Sequence, residues 1–76
     1  MDVSKYDIEI KRHAFIQAMQ RGIAPDLIED TIKNGGVENY GKHGIRFIKK
    51  GSKRTLICVG QREADKIKIF TIEEGK

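Results

Sequence analysis

A single cysteine, Cys58, leaves the chain without an internal disulfide, and no Cys/His spacing suited to a metal is present. No stretch resembles a leader peptide or a membrane span, because the longest apolar run, Leu56–Val59, is only strand-sized. A cytoplasmic protein without membrane association is therefore expected. Repeats, linkers and low-complexity segments are absent too, and 76 residues form one domain, 1–76, with a thin core. Met1–Lys5 reads as a frayed end. The one glycine pair, Gly35-Gly36, follows a helix and lacks the spacing of a phosphate-cradling loop. The carboxylates are scattered, and none pairs as an acid/base couple. Nucleophilic catalysis by Cys58, which lies in an apolar strand, and a carboxylate-held metal are both poorly matched to this chain. Neither a metal nor a cofactor is expected.

What is present begins with Lys11–Ala24, read K-R-H-A-F-I-Q-A-M-Q-R-G-I-A. Ala14, Phe15, Ala18, Met19 and Gly22 recur at helical spacing, with His13, Gln17, Gln20 and Arg21 opposite. Gly22 ends this helix. A second helix opens at Pro25, whose fixed φ and missing N–H suit a first helical position. Asp26, Glu29 and Asp30 favour its early turns, and Lys33 favours its end. Leu27, Ile28, Thr31 and Ile32 form its apolar stripe, and Ile23 and Ile28 have the spacing of a hydrophobic staple. Ala24 is a poor cap. Asn34-Gly35-Gly36 stops the helix, so the tight G-I-A-P link makes a helical hairpin.

Elsewhere the period is two. Tyr6–Ile10 reads as a short edge strand, and Val37–Tyr40, Ile45–Lys49, Thr55–Gly60 and Lys66–Ile72 as four further strands. Gly41–Gly44 and Gln61–Asp65 read as loops, and Gly51-Ser52 as a turn. Thr55–Gly60 is apolar on both faces, as a central strand should be. Short connections make the four later strands an antiparallel meander. The fold class is thus α+β, a two-layer domain with an N-terminal helical hairpin on a four- to five-stranded, mainly antiparallel sheet. Phe15, Met19, Leu27 and Ile32 are expected to face Leu56, Cys58, Ile67 and Ile69.

Charge is unevenly spread along the chain, whose formal net charge is +4. Residues 1–35 hold five cations against six acids, and residues 36–76 hold ten against five. Within the second part, Lys42, Arg46, Lys49, Lys50, Lys53 and Arg54 fall in a block without any acid. Such a block is an electrostatic footprint for phosphates or for an acidic protein. A pair of helices covers one sheet face only, so Arg46, Lys49, Lys50, Arg54 and Lys68 are expected on the other face or its rim. There Lys42, Arg46, Lys49, Lys50, Lys53 and Lys68 would bind RNA phosphates.

An inventory of His, Arg and Lys without paired carboxylates suits metal-free cleavage of RNA, where the 2′-OH is the nucleophile. His13 is the candidate base or acid. It sits in a first helical turn, where the dipole disfavours a positive imidazolium. Arg21, Arg46 and Arg54 would hold the scissile and flanking phosphates. The run H-A-F-I-Q-A-M-Q-R-G-I-A-P-D-L-I-E-D-T-I-K-N-G (His13–Gly35) resembles the opening of small proteins of the domain-of-unknown-function 4258 family. Arg54, the run Leu56–Val59 and I-F-T-I near the end follow in the same order, so the resemblance spans roughly Ile10–Ile72. It implies distant kinship with RelE/BrnT-type toxins, compact ribonucleases that pair with an antitoxin, here an acidic antitoxin-like protein. It implicates His13, Arg21 and Arg54, with Thr71 as a further position. Two readings follow: a toxin-like, metal-independent endoribonuclease, or a non-catalytic basic module binding nucleic acid or an acidic protein. His13 and Arg21 on one helix face favour the ribonuclease, which is the leading reading; the shortage of a second titratable group, with His43 in a Gly-flanked loop, favours the module.

Overall fold

The computed structural model describes residues 6–52 and 54–75. The fraying expected of Met1–Lys5 and the phosphate contact expected of Lys53 lie outside the described residues. The chain runs β1 (Asp7–Ile10), α1 (Arg12–Gln20), α2 (Pro25–Asn34), β2 (Gly36–Tyr40), β3 (Gly44–Lys50), β4 (Thr55–Glu63) and β5 (Lys66–Gly75). The strands form one sheet in the order β1-β5-β4-β3-β2, and both helices lie on one side of it. This is the expected two-layer α+β architecture.

β2 to β5 form the antiparallel meander, and β1 joins the edge of β5 in parallel. Opposite charges suit that last pairing, since Asp7 lies against Lys66 and Glu9 against Lys68. The amide of Lys11 donates to the carbonyl of Ile69 and carries the ladder one step past β1. β4 is central, as its two apolar faces demand. It is longer than its apolar run, however, and the loop expected at Gln61–Asp65 shrinks to a turn at Ala64 and Asp65. Gln61, Arg62 and Glu63 remain paired with Lys68, Ile67 and Lys66, because an antiparallel ladder accepts charged side chains wherever a face meets water. A bulge between Val59 and Gly60 shifts the register against β5. Ile69 and Ile72 both stay beneath the helices, so the two residues between them, Phe70 and Thr71, fall on the uncovered face.

α1 closes with two backbone bonds, from the Ile23 amide to the Ala18 carbonyl and from the Gly22 amide to the Met19 carbonyl. This is the Schellman arrangement, and it requires the left-handed φ of +74° that Gly22 adopts. α2 begins at Pro25 after an Ala24 that provides no side-chain cap. Ile23 and Ile28 are both buried at its entrance, as the staple spacing predicts.

Between the layers lie Ala14, Ala18, Ile23, Ile28 and Ile32 from the helical side, with Ile45, Phe47, Leu56, Cys58, Ile67, Ile69 and Ile72 from the sheet. The inward face of α1 differs from the expected one. Phe15 (38% exposed), Met19 (37%) and Leu27 (43%) lie outside, and only Ile32 of the four expected helix residues is in the core. Two alanines at i and i+4 let α1 approach β5 more closely than bulky side chains would, so Phe15 and Met19 turn away from the interface. Cys58 is fully buried, and burial pushes its thiol up to about 12.

Ala18→Leu should therefore cost about 1–3 kcal/mol in urea unfolding, because the seam has no room for three more carbons. A variant with unchanged stability would place α1 too close to β5 here. The Cys58 thiol should resist alkylation by a water-soluble maleimide at pH 8 until denaturant is added. Rapid labelling of the folded protein would contradict its burial.

Candidate nucleic-acid interface

The three residues expected to be catalytic lie on different supports. His13 is exposed in the first turn of α1, and no hydrogen bond or ion pair ties its side chain to another described residue. Arg21, the residue that ends α1, lies about 12 Å further along the helix axis. Its Nη1 donates to the carbonyl of Ile72 at 3.1 Å. That carbonyl lies beyond Ile69, where pairing with β1 stops, so the guanidinium serves a backbone acceptor at the sheet edge. Arg54 precedes β4, and its Nη1 donates to Oε1 of Glu74 at 2.9 Å. Arg21 and Arg54 thus meet the same stretch of β5, two residues apart. No hydrogen bond or ion pair joins the His13 side chain to either of them, and His13 does not line the groove between α2 and the β3–β4 connection.

A shallow groove of about 370 Å³ lies between α2 and the β3–β4 connection, lined by Leu27, Asp30, Lys49, Gly51, Ser52 and Arg54. Lys49 follows the inward parity of Phe47 and donates through Nζ to Oδ2 of Asp30. That bond, with a second from Asn34, holds the Asp30 carboxyl below its ordinary range. The groove therefore carries two cations, each next to an acid. Among the described residues no group of three or more His, Cys, Asp or Glu could hold a metal ion.

The expected phosphate-binding cations divide between the two sides of the sheet. Lys49 is on the helix side with Asp30, and Arg54 bonds Glu74. Arg46, Lys50 and Lys68 are on the uncovered side by the alternation of β3 and β5. Arg46 bonds Glu38 across the β2–β3 pair at 2.6 Å, and Lys68 bonds Glu63 at 2.9 Å. The second bond lowers the pKa of Glu63 and raises that of Lys68. Lys42 is exposed in the turn between β2 and β3. The single face lined by cations that the charge distribution suggests is thus two groups of cations, most of them held by acids. The acid-free block in sequence meets its acids in space, from α2, β2 and β5.

One feature of the uncovered face is not evident from charge. Tyr40 pairs with Gly44 across the β2–β3 hairpin. Its ring lies directly over Gly44, where any β-carbon would strike it. The Arg46 guanidinium lies 5.8 Å from the ring centroid. Tyr40 is nonetheless 46% exposed. Beside this array Ile48, Ile57, Val59, Phe70 and Thr71 are half-buried, giving the face an apolar centre. The spacing Tyr40…Gly44 around a three-residue turn is the signal that finds the pair, because it places the two opposite each other in a hairpin.

Arg21→Ala should lower stability by about 1 kcal/mol, the net worth of a partly exposed hydrogen bond, measured by urea unfolding. No change in the midpoint would mean that the guanidinium is not needed by the sheet edge. No helix among the described residues is long and apolar enough to cross a membrane. Comparison of the chain with family models, with curated proteins and with solved structures gives no match, so the site is read from its own geometry.

Proposed function

We propose that the chain is a non-catalytic module that binds single-stranded RNA across the uncovered face of its sheet. The observation that carries this reading is the exposed Tyr40 ring, seated on Gly44 beside the Arg46 guanidinium. A base stacks on an aromatic ring of this kind whatever its identity, while cations along the face hold the phosphates. Lys68, Lys50 and Lys42 supply further cations for that strand. The ion pairs of Arg46 and Lys68 do not oppose this. Such exposed pairs are worth about 1 kcal/mol or less, so a phosphate competes for the cation at little cost. RNA rather than DNA is taken as the first ligand to test because the resemblance of His13–Gly35 to domain-of-unknown-function 4258 proteins implies distant kinship with RelE/BrnT-type ribonucleases. The exposed, unpartnered His13, apart from the aromatic array, favours the module over the enzyme.

Fluorescence anisotropy with a labelled oligouridylate tests the reading. About four phosphate contacts give a log–log salt slope near −3. Tyr40→Ala should weaken binding by about 1–3 kcal/mol, and Glu38→Gln should strengthen it a few-fold by releasing Arg46. A duplex of the same sequence should bind less tightly than the single strand. Affinity indifferent to salt and to Tyr40 would overturn the reading. RNA recovered intact is the expected state on a gel; cleavage that His13→Ala abolishes would establish the ribonuclease instead.

A further inference from the structure

Beside the Tyr40 ring stands a carboxylate. Glu38 and Tyr40 are two residues apart on β2, so both side chains rise from the uncovered face about 7 Å from one another. Arg46 lies opposite Glu38 on β3 and is joined to both. Its Nη2 donates to Oε1 of Glu38 at 2.6 Å, and its guanidinium lies 5.8 Å from the ring centroid. The Glu38 side chain is 53% exposed, and no other described residue bonds its Oε2. On a face that holds phosphates a bare carboxylate would repel the strand, and Arg46 offsets that charge. The pair thus presents, side by side, a free acceptor, an acceptor with one lone pair in use, and guanidinium donors.

We propose that Glu38 makes this surface selective for guanine, by reading the edge of the base that stacks on Tyr40. The proposal rests on the RNA-binding reading and adds a base preference to it. The Tyr40 ring lies over Gly44, so a base stacked on it can turn one edge toward Glu38 and Arg46. Stacking itself accepts every base, so discrimination falls to that edge. A carboxylate only accepts, and its two oxygens match two adjacent donors. Among the four bases guanine alone has them, N1–H and N2–H on its Watson–Crick edge, with the acceptor O6 next in line for Arg46. Adenine and cytosine each offer one amino donor beside a ring-nitrogen acceptor. Uracil offers N3–H between two carbonyl oxygens. Each of these three sets a lone pair against a carboxylate oxygen, which is unfavourable.

The probes are four labelled RNA pentamers, UUGUU and its counterparts with A, C or U at the centre, titrated with the full chain and followed by anisotropy. UUGUU should bind about tenfold more tightly than UUAUU, the comparison that decides because both purines stack well. Inosine in place of guanine, which lacks the N2 donor, should lose several-fold, and this arm needs no variant. Glu38→Gln should weaken UUGUU about tenfold while strengthening the all-uridine pentamer a few-fold by releasing Arg46. The effect of the substitution thus changes sign with the base. The melting temperature of the variant should stay near that of the parent, since the Glu38 side chain is exposed. Equal affinity for UUGUU and UUAUU, or an effect of Glu38→Gln of one sign on all four, would overturn the proposal. If Tyr40→Ala then still weakens all four, the RNA-binding reading stands and only the guanine preference falls. Binding of none of the four overturns both. GMP that binds as tightly as UUGUU would also overturn the proposal, by assigning the site to a free guanine nucleotide.

Discussion

The close approach of α1 to β5 through Ala14 and Ala18 is the contact on which much of the molecule depends. β1 is only four residues long and joins the sheet at its edge, so α1 is what covers the β5 side of the core. Alanine suits the seam twice, having the highest helix propensity and losing no side-chain entropy on burial. The short separation has consequences on both sides of the helix. Inward, it brings Ile67, Ile69 and Ile72 into a dry layer shared with Phe47 and Cys58. Outward, it leaves Phe15, Ile16 and Met19 without a place inside.

A second constraint is the amount of helix available. Two helices of nine and ten residues cover one face of a five-stranded sheet and leave the other to water. The uncovered face is neither fully polar nor a continuous apolar surface. Half-buried Ile48, Ile57, Val59 and Phe70 form its centre, and charged residues surround them. Cross-strand and near-neighbour pairs such as Glu38–Arg46 and Glu63–Lys68 hold that rim in place. Such pairs serve a sheet better than isolated lysines, since unmatched cations on neighbouring strands repel one another. They also make each cation available at low cost to a stronger anion, because the intramolecular partner is weakly held in water.

Local chemistry made most of the architecture legible. The Gly22 stop, the Pro25 start, the Ile23–Ile28 staple and the change of period after Gly36 are each decided within a few residues, and each is present. The inward face of α1 was not legible, because apolar residues occupy more than half of the helix circumference and periodicity alone does not choose between alanines and larger side chains. The loop expected at Gln61–Asp65 failed for a related reason: polarity there marks exposure of one face, not the end of pairing. The candidate site was legible in composition but not in arrangement. Arg54 and Glu74, or Lys49 and Asp30, lie about twenty residues apart, and only the packing of α2 and β5 brings them together.

Placement on two layers also separates what the domain can hold at once. Tyr40, Arg46 and Lys68 lie on the side of the sheet that no helix covers, while Arg12, Phe15, Ile16 and Met19 face outward from the helical side. A ligand on one of these sides therefore would not overlap one on the other. Any influence between them has to pass through the sheet, where Ile67, Ile69 and Ile72 pack beneath the helices while Lys68, Phe70 and Thr71 of the same strand lie on the uncovered face. β5 is thus the element shared by both surfaces. A displacement of α1 large enough to disturb the alanine seam would be felt at Ile69 and Ile72, and the bulge between these residues already breaks the regular register against β4. Coupling needs two packed arrangements that both ligands distinguish. A seam held by two alanines against β-branched isoleucines offers little room for a second one, so this packing favours little coupling between the two sides of the sheet.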